Sequence, residues 1–274
     1  MINFPVAGGT SGHLLGGVLA GVLLGPAAGI MALATVLAVQ CLFFQDGGLT
    51  ALGANVLNLA LVGAGGGYLV YRLGRLLVRG AKGLLLSTAV AAWASMVLAS
   101  AACALELAAA GTVPLRLVFP AMTLTHMVVG LGEALITTAV VSFVLKVRPD
   151  LLYEPVAVVP PGPEFSWKMV AGCGLALALG IALLLPPAAS PLPDGLEKLA
   201  EDLGFAAKAR ADNAAPLPDY TVPGMKSTWL ATSLAAVAGT LLSFVVAGLA
   251  AWGLVRWWRR SQRGAQPHVK PNKP

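Results

Sequence analysis

The chain has 274 residues, of which 57% are hydrophobic and 11% are charged. A soluble domain carries about 25% charged residues, so this composition excludes an ordinary soluble fold and indicates a polytopic membrane protein. The formal net charge is +6 at pH 7, but the basic residues cluster beside apolar segments, where the positive-inside rule accounts for them without a nucleic-acid partner.

Seven apolar segments follow one another along the chain when it is scanned with a window of about 20 residues. They are residues 14–25, 26–44, 56–78, 84–111, 118–145, 168–187 and 227–258. The first is too short to cross a bilayer, and Pro26 breaks or restarts a helix, so the first two form either one bent unit or a half-helix followed by a span. The sequence therefore predicts an all-α, polytopic membrane helical bundle with about six to seven membrane segments and a small extracytoplasmic loop domain.

Basic residues decide the expected orientation of these segments. Arg72, Arg75, Arg79 and Lys82 follow the third segment, Lys146 and Arg148 the fifth, and Arg256, Arg259, Arg260 and Arg263 the last. If every segment from the third onward crosses once, these places share one side, which we expect to be cytoplasmic together with the C-terminus. Tracing backwards places His13 toward the outer face, provided that the first two segments both cross.

His13 closes the glycine-rich stretch at residues 8–13, which we expect to be a flexible turn that leads into a helix. A neutral imidazole is the commonest nitrogen ligand of divalent transition metals, so His13 is a candidate metal ligand. A single histidine at a helix start also serves often as a hydrogen-bonding residue. Residues 9–12 match the GxSG pattern of intramembrane serine proteases as well, with Ser11 as nucleophile and His126 as candidate base.

Several polar residues fall at or near membrane depth in the next two segments. The glycine-rich residues 45–55 are expected to form an irregular loop, which is tolerated at that depth only where it is buried in protein or lines a cavity. Asp46 and Asn55 bracket this loop, and Asn58 lies inside the third segment, where it needs a partner. These residues form either the walls of a site or a polar junction between helices.

Glu133 lies in the middle of the fifth apolar segment, where a carboxylate costs a few kcal/mol unless it faces a partner or water. His126 and Gly130 share its helical face, because they precede it by seven and three residues. Three interpretations of His126 stay open: a metal ligand, a proton partner of Glu133, or a packed interior histidine.

Residues 188–226 are expected to be an external connection, and part of them is helical by pattern. Asp194 and Glu197 have the spacing of an N-cap and its capping-box partner, and Gly204 is placed to end the helix. Leu196, Leu199 and Leu203 recur on one face. The sequence therefore predicts a short amphipathic helix outside the membrane.

Three stretches occur in an informative order: NFPVAGGTSGHLLGG at residues 3–17, GGLTALGANVLN at 47–58 and HMVVGLGEALIT at 126–137. They resemble the CbiM/NikM family, the substrate-capturing membrane subunits of energy-coupling-factor ABC transporters for cobalt or nickel ions. The resemblance runs from residue 2 to about residue 152, and residues 193–205 resemble the PDGLE domain, an accessory subunit of such transporters.

The resemblance implies four regions in this chain. Residues 1–152 would be the metal-capture membrane domain, and residues 153–167 a Pro-rich cytoplasmic linker. Residues 168–258 would hold two membrane helices around the PDGLE-like external segment, and residues 259–274 a basic cytoplasmic tail.

The resemblance also implies that His13 is a metal ligand. In the family the other ligands come from an initial Met-His pair, whose amine, amide nitrogen and imidazole suit nickel and cobalt. This chain begins Met1-Ile2 and lacks the segment that usually precedes residue 2, for which we favour a start codon assigned too late over a truncated variant. With His13 alone we expect poor affinity. Asn55, Asn58, His126 and Glu133 match the family motifs and are expected to support the site.

The function that follows is import of Co²⁺ or Ni²⁺ across the cytoplasmic membrane of a prokaryote, with a preference for cobalt and cobalamin supply by family association. The expected partners are membrane lipid, a transmembrane coupling subunit and two ABC ATPases, and no nucleic acid. We expect no tightly bound cofactor and no enzymatic activity. The alternatives are a stand-alone proton-coupled carrier that uses His126 and Glu133, and an intramembrane serine protease that uses Ser11.

Overall fold

The computed structural model describes residues 3–6, 10–154, 166–190, 192–208 and 215–264. Apart from one antiparallel hairpin, β1 (Asn3–Val6) and β2 (Thr10–His13), the regular elements among these residues are helices. The principal helices are α1 (Gly17–Leu24), α2 (Pro26–Phe44), α3 (Gly48–Leu77), α4 (Gly80–Ala109), α5 (Leu115–Val147), α6 (Trp167–Leu184), α7 (Gly195–Asp202) and α8 (Thr228–Gly264). Short 3-10 turns occur at Pro149–Leu151, Pro186–Ala188, Ala206–Lys208 and Pro218–Tyr220.

Five of the described helices are long and apolar enough to cross a membrane, namely α2, α3, α4, α5 and residues 228–260 of α8. The α6 helix is apolar but shorter. The protein is therefore an all-α polytopic membrane protein, which confirms the predicted fold class. The predicted segments agree with these helices to within a few residues, except at the start of α3.

The α1 helix is a half-helix. Its eight residues span about 12 Å, well short of the roughly 30 Å of hydrocarbon that a bilayer presents. Pro26 then opens α2 as its first residue, after Gly25 adopts a φ of 84°. The structure thus confirms the half-helix followed by a span, and the condition that both segments cross is wrong because α1 has too few residues.

The glycine-rich residues 45–55 are mostly helical, so the expectation of an irregular loop there is wrong. Only the turn before Gly48 separates α2 from α3, and left-handed backbone at Gln45 (φ 61°) and Gly47 (φ 78°) makes it. Beyond the turn, Leu, Ala and Asn side chains continue without a proline, and the helix runs through them. The middle of α3, Val56–Gly66, has the wider π-helical winding that is frequent at functional sites.

Residues 10–13 form a strand rather than the flexible turn expected from their glycines. His13 pairs with Asn3 and Thr10 with Val6, so the described ends of the hairpin are in register. Gly12 allows β2 to pack closely against α5. A Cβ at this position would clash with Val129, because it would lie 2.6 Å from one of its methyl carbons.

The core is built around α1. Val18, Val22, Tyr68 and Tyr71 are buried together with residues of α4 and α5. Small residues allow this approach, since a Cβ on Gly17 would lie 3.0 Å from the Cα of Ala64 in α3. The half-helix is therefore held inside the bundle and not on its surface.

The two ends of the bundle differ: one carries the hairpin and connecting segments, and the other carries the basic residues. We call the end that carries β1 and β2 the hairpin end; the turns 45–47 and 110–114 also lie there, together with the described residues of the connecting segment 186–226, namely 186–190, 192–208 and 215–226. At the opposite end Tyr153 donates its backbone N–H to the Val22 carbonyl (3.0 Å), and Glu154 accepts from Tyr68 and forms an ion pair with Arg72. The basic clusters that end α3 and α5 thus lie together, as the charge pattern requires.

Candidate functional site

A cavity of about 260 Å³ opens at the hairpin end among β2, α2, α3, α4, α5 and the start of α7. Its lining includes every residue that the sequence singled out for the site except Glu133. The chemically active side chains along it are His13, Asp46, Asn55, Asn58, Cys103, His126, Asp194 and Glu197. Lysine and arginine do not contribute to the described lining, so its fixed charges are three carboxylates.

His13 is the last residue of β2 and reaches the cavity from the hairpin. Its Nδ1 atom is buried and has no hydrogen-bond partner among the described residues. A buried polar atom is normally satisfied, so an imidazole nitrogen left without a partner suits a ligand whose ion is transient. The described residues contain no group of three or more His, Cys, Asp or Glu side chains that would hold a metal ion by themselves. The prediction that His13 alone would bind an ion with poor affinity stays a prediction.

Glu133 lies deeper than the cavity and holds the chain that follows His13. Glu133 is only 1% exposed. Its two carboxylate oxygens accept hydrogen bonds from the backbone N–H groups of Leu15 and Gly16, both at 2.9 Å. These N–H groups lie just before α1, at its N-cap Gly16 and the preceding residue, where intrahelical acceptors are lacking. The two hydrogen bonds thus offset the cost of burying the Glu133 carboxylate, and they fix the backbone between β2 and α1.

His126 faces the cavity on α5, one turn after Met122. Its Nδ1 lies 2.8 Å from the Met122 carbonyl oxygen, which can only accept, so Nδ1 carries the proton and Nε2 keeps its lone pair. Among the described hydrogen bonds none joins His126 to Glu133, and seven residues of helix separate them by about 10 Å. The geometry gives the proton-pair interpretation no support.

The asparagines serve both as cavity wall and as polar junction. Asn58 donates its Nδ2 to Glu106 (2.8 Å), while its Oδ1 is buried without a partner among the described residues. Asn55 presses against the turn before α3, because a Cβ at Gly47 would lie 2.3 Å from its Nδ2. The sequence analysis did not single out Glu106. It could have been found as the one acidic residue inside the fourth apolar segment, where a carboxylate needs a partner.

The described part of the connecting segment pairs with the hairpin beside this cavity. Ser11 donates its backbone N–H to the Pro193 carbonyl (2.8 Å) and its hydroxyl to the Leu192 carbonyl (2.8 Å). Asp194 accepts from the N–H groups of Leu196 and Glu197, and Glu197 accepts from the Asp194 N–H, which confirms the predicted capping box. The fully buried Ser11 hydroxyl bonds to backbone carbonyls, and no described hydrogen bond links it to an imidazole, so it is not arranged as a nucleophile.

A second attachment of the same segment lies across the cavity at Asp46. The Tyr220 ring stacks on Phe44 with centroids 4.6 Å apart, and its hydroxyl donates to Asp46 Oδ2 at 2.5 Å. Burial, and then the neighbouring Asp46 charge, raise the pKa of Tyr220, so the hydroxyl stays protonated and able to donate. Sequence reasoning had no signal for this contact.

We expect Tyr220→Phe to lower the stability of the protein. The substitution keeps the stack on Phe44 but removes the hydrogen bond to a carboxylate, which is worth about 1.5–3 kcal/mol. The measurement is the apparent midpoint of thermal unfolding in detergent micelles. Tyr153→Phe is the matched control, because Tyr153 is 56% exposed at the opposite end. Equal midpoints for the two variants would contradict the role assigned to Tyr220.

Two family models match separate parts of this chain. Residues 1–151 match the family model "Cobalt uptake substrate-specific transmembrane region", and residues 168–256 match the PDGLE domain. A fused nickel transport protein NikMN of Rhodobacter capsulatus is 32% identical over 95% of this chain and 84% of its own length. A relative of the same NikMN designation from Archaeoglobus fulgidus is 37% identical over 88% of this chain and 78% of its own.

A solved structure of a transition metal transporter is 36% identical, covers 54% of this chain and 70% of that chain, and superposes with a TM-score of 0.47. The relatives are named as metal transport proteins and not as enzymes, which agrees with the expected absence of enzymatic activity.

Proposed function

The chain belongs to the family of cobalt uptake substrate-specific transmembrane proteins, with a PDGLE domain in the same polypeptide, and we propose that it is the ion-capturing subunit of an energy-coupling-factor importer. In this proposal Ni²⁺ or Co²⁺ enters the cavity at the hairpin end, which faces outward across the cytoplasmic membrane of a prokaryote. The basic clusters of α3 and α5 and the C-terminus lie inside.

One observation carries the proposal, namely that the Nδ1 of His13 has no partner among the described residues and lies in a cavity whose described lining carries only negative fixed charges. Imidazole is a favoured ligand of nickel and of neighbouring divalent ions, and carboxylates attract a cation without binding it tightly. The cavity has room for an ion that keeps some of its water. A site of this kind suits a cargo that must also leave.

The energy source in this proposal is a separate set of chains. The sequence has no Walker motif, so two partner ATPases would hydrolyse the ATP. A transmembrane coupling subunit would transmit their conformational change to this chain. The fused relatives are named for nickel, which makes nickel the first ion to test. The cobalt preference and the supply of cobalamin synthesis remain predictions.

Uptake of radiolabelled Ni²⁺ by cells tests this assignment. We expect uptake to require co-expression of the coupling subunit and the ATPases, and to fall to background when the Walker lysine of the ATPases is replaced. An uncoupler should leave uptake unchanged while the ATP concentration is maintained. Uptake by this chain alone that collapses with the uncoupler would instead identify a proton-coupled carrier.

A further inference from the structure

We propose that a second cavity at the hairpin end is an entry vestibule, which receives the hydrated divalent cation and passes it to the cavity that His13 lines. This inference rests on the proposed function and adds to it a route for the ion. The second cavity has a volume of about 490 Å³ and lies among β1, the described part of the connecting segment and the first turns of α8. Its polar lining residues are Asn3, Ser190, Asp219, Tyr220, Thr228 and Thr232.

The chemistry of this lining suits a cation that still carries its water. Asp219 supplies a carboxylate and is exposed, so the cavity is open at the surface of the hairpin end. The described lining has no lysine or arginine to repel a cation, and no histidine or cysteine to bind it tightly. Hydroxyl and amide oxygens can instead accept hydrogen bonds from the water that the ion carries. The cation would therefore be attracted but held weakly, as transit requires.

Asn3 links this cavity to the ion site through the hairpin. Its Oδ1 atom is buried and has no hydrogen-bond partner among the described residues. A buried oxygen is normally satisfied, so this one suits a transient guest such as a metal-bound water molecule. Asn3 is also the cross-strand partner of His13, and such partners place their side chains on one face with Cβ atoms about 5 Å apart. The two cavities thus adjoin along this pair.

A second pair of residues also joins the two cavities. Tyr220 lines the second cavity, and its hydroxyl donates to Asp46, which lines the first. Asp219 and Tyr220 both adopt left-handed backbone, with φ of 53° and 57°, a strained conformation that is frequent at functional sites. Loss of the hydrogen bond would free the Asp46 carboxylate to receive the ion. Tyr220 is therefore placed to separate the two cavities.

The rates of nickel binding test the inference, because a residue on the route but outside the final site changes association and dissociation by the same factor. We expect Asp219→Asn to slow both rates about threefold, since the attraction of one carboxylate for a divalent ion is lost. The dissociation constant should stay unchanged. The measurement is stopped-flow mixing of the purified full-length protein with Ni²⁺ and a dye that reports the free ion. Asparagine tolerates left-handed backbone, so the turn at this position is kept.

Filling the vestibule gives the stronger test. Ala236 lines the second cavity from α8, and Ala236→Trp would place an indole ring in it. We expect association and dissociation each to slow at least about tenfold, as for a barrier raised by about 1.4 kcal/mol. Ala238→Trp is the matched control, because Ala238 is exposed and lies two positions further on, on another face of the same helix. Both of its rates should equal those of the parent.

The outcomes separate this inference from the function on which it rests. Rates that stay unchanged in both Asp219→Asn and Ala236→Trp would overturn the vestibule and leave the capture function standing. A weaker affinity of Asp219→Asn, with only one of the two rates altered, would place Asp219 in the final site and would also overturn the vestibule. A parent that binds no nickel would overturn the capture function itself.

Discussion

Replacing His13 with alanine is expected to weaken nickel retention at least about 100-fold, a loss of about 2.7 kcal/mol of binding free energy. The reason is that His13 supplies a buried imidazole nitrogen with no protein partner in the part of the chain that the structure describes. A ligand without a competing hydrogen bond gives its full lone pair to the ion, and alanine offers nothing in its place. Isothermal titration calorimetry on the purified full-length chain measures the change, and transport assays should show the same loss.

The control for this experiment is His268→Ala, which removes the same side chain from the basic tail. We expect its nickel affinity and uptake to match those of the parent. Nickel retention and uptake that survive unchanged in His13→Ala would refute the assignment of His13 as a ligand. Thermal unfolding of both variants shows whether the folded state is retained, since His13 ends a strand and lies outside the buried core.

Replacing Glu133 with alanine is expected to cost both stability and metal capture. The substitution leaves the N–H groups of Leu15 and Gly16 without acceptors inside the bundle, at about 1–3 kcal/mol for each. The backbone between β2 and α1 would then lose its anchor, and with it the position of His13. We expect a lower apparent midpoint of unfolding in micelles and weaker nickel binding in the same variant.

Glu133→Gln gives the graded comparison, because its single carbonyl oxygen can still accept one of the two N–H groups. It should fall between the parent and Glu133→Ala in both measurements. Glu201→Ala serves as the control, since Glu201 is exposed on α7. A Glu133→Ala variant as stable as Glu201→Ala would show that the two hydrogen bonds do not hold the loop.

Much of the fold is predictable from the sequence because its causes are local. Apolar length gives the membrane helices, Pro26 marks the restart after the half-helix, and Asp194 with Glu197 marks the start of α7. Each of these signals depends on residues within a few positions of one another. The glycines at residues 45–55 suggested an irregular loop, but left-handed backbone at Gln45 and Gly47 makes a single turn, and the residues from Gly48 onward continue as helix without a proline.

The contacts that build the cavity could not be predicted, because they join distant parts of the chain. Tyr220 and Asp46 are separated by 174 positions, and Ser11 and Leu192 by 181. The first joins two side chains, and the second joins a hydroxyl to a backbone carbonyl, a group that every residue offers and that therefore has no residue signature. Glu133 shows both what the sequence can predict and what it cannot. Its need for a partner was evident from the sequence, but its partners are two backbone N–H groups that no pattern identifies.

The anchor made by Glu133 also shapes what an arriving ion experiences. A helix concentrates roughly half a positive elementary charge at its amino terminus, and α1 begins inside the bundle close to His13. Such an end would repel a doubly charged ion. The Glu133 carboxylate accepts hydrogen bonds at that end and offsets its charge, so the electric potential beside His13 is set by the three carboxylates of the cavity lining, Asp46, Asp194 and Glu197.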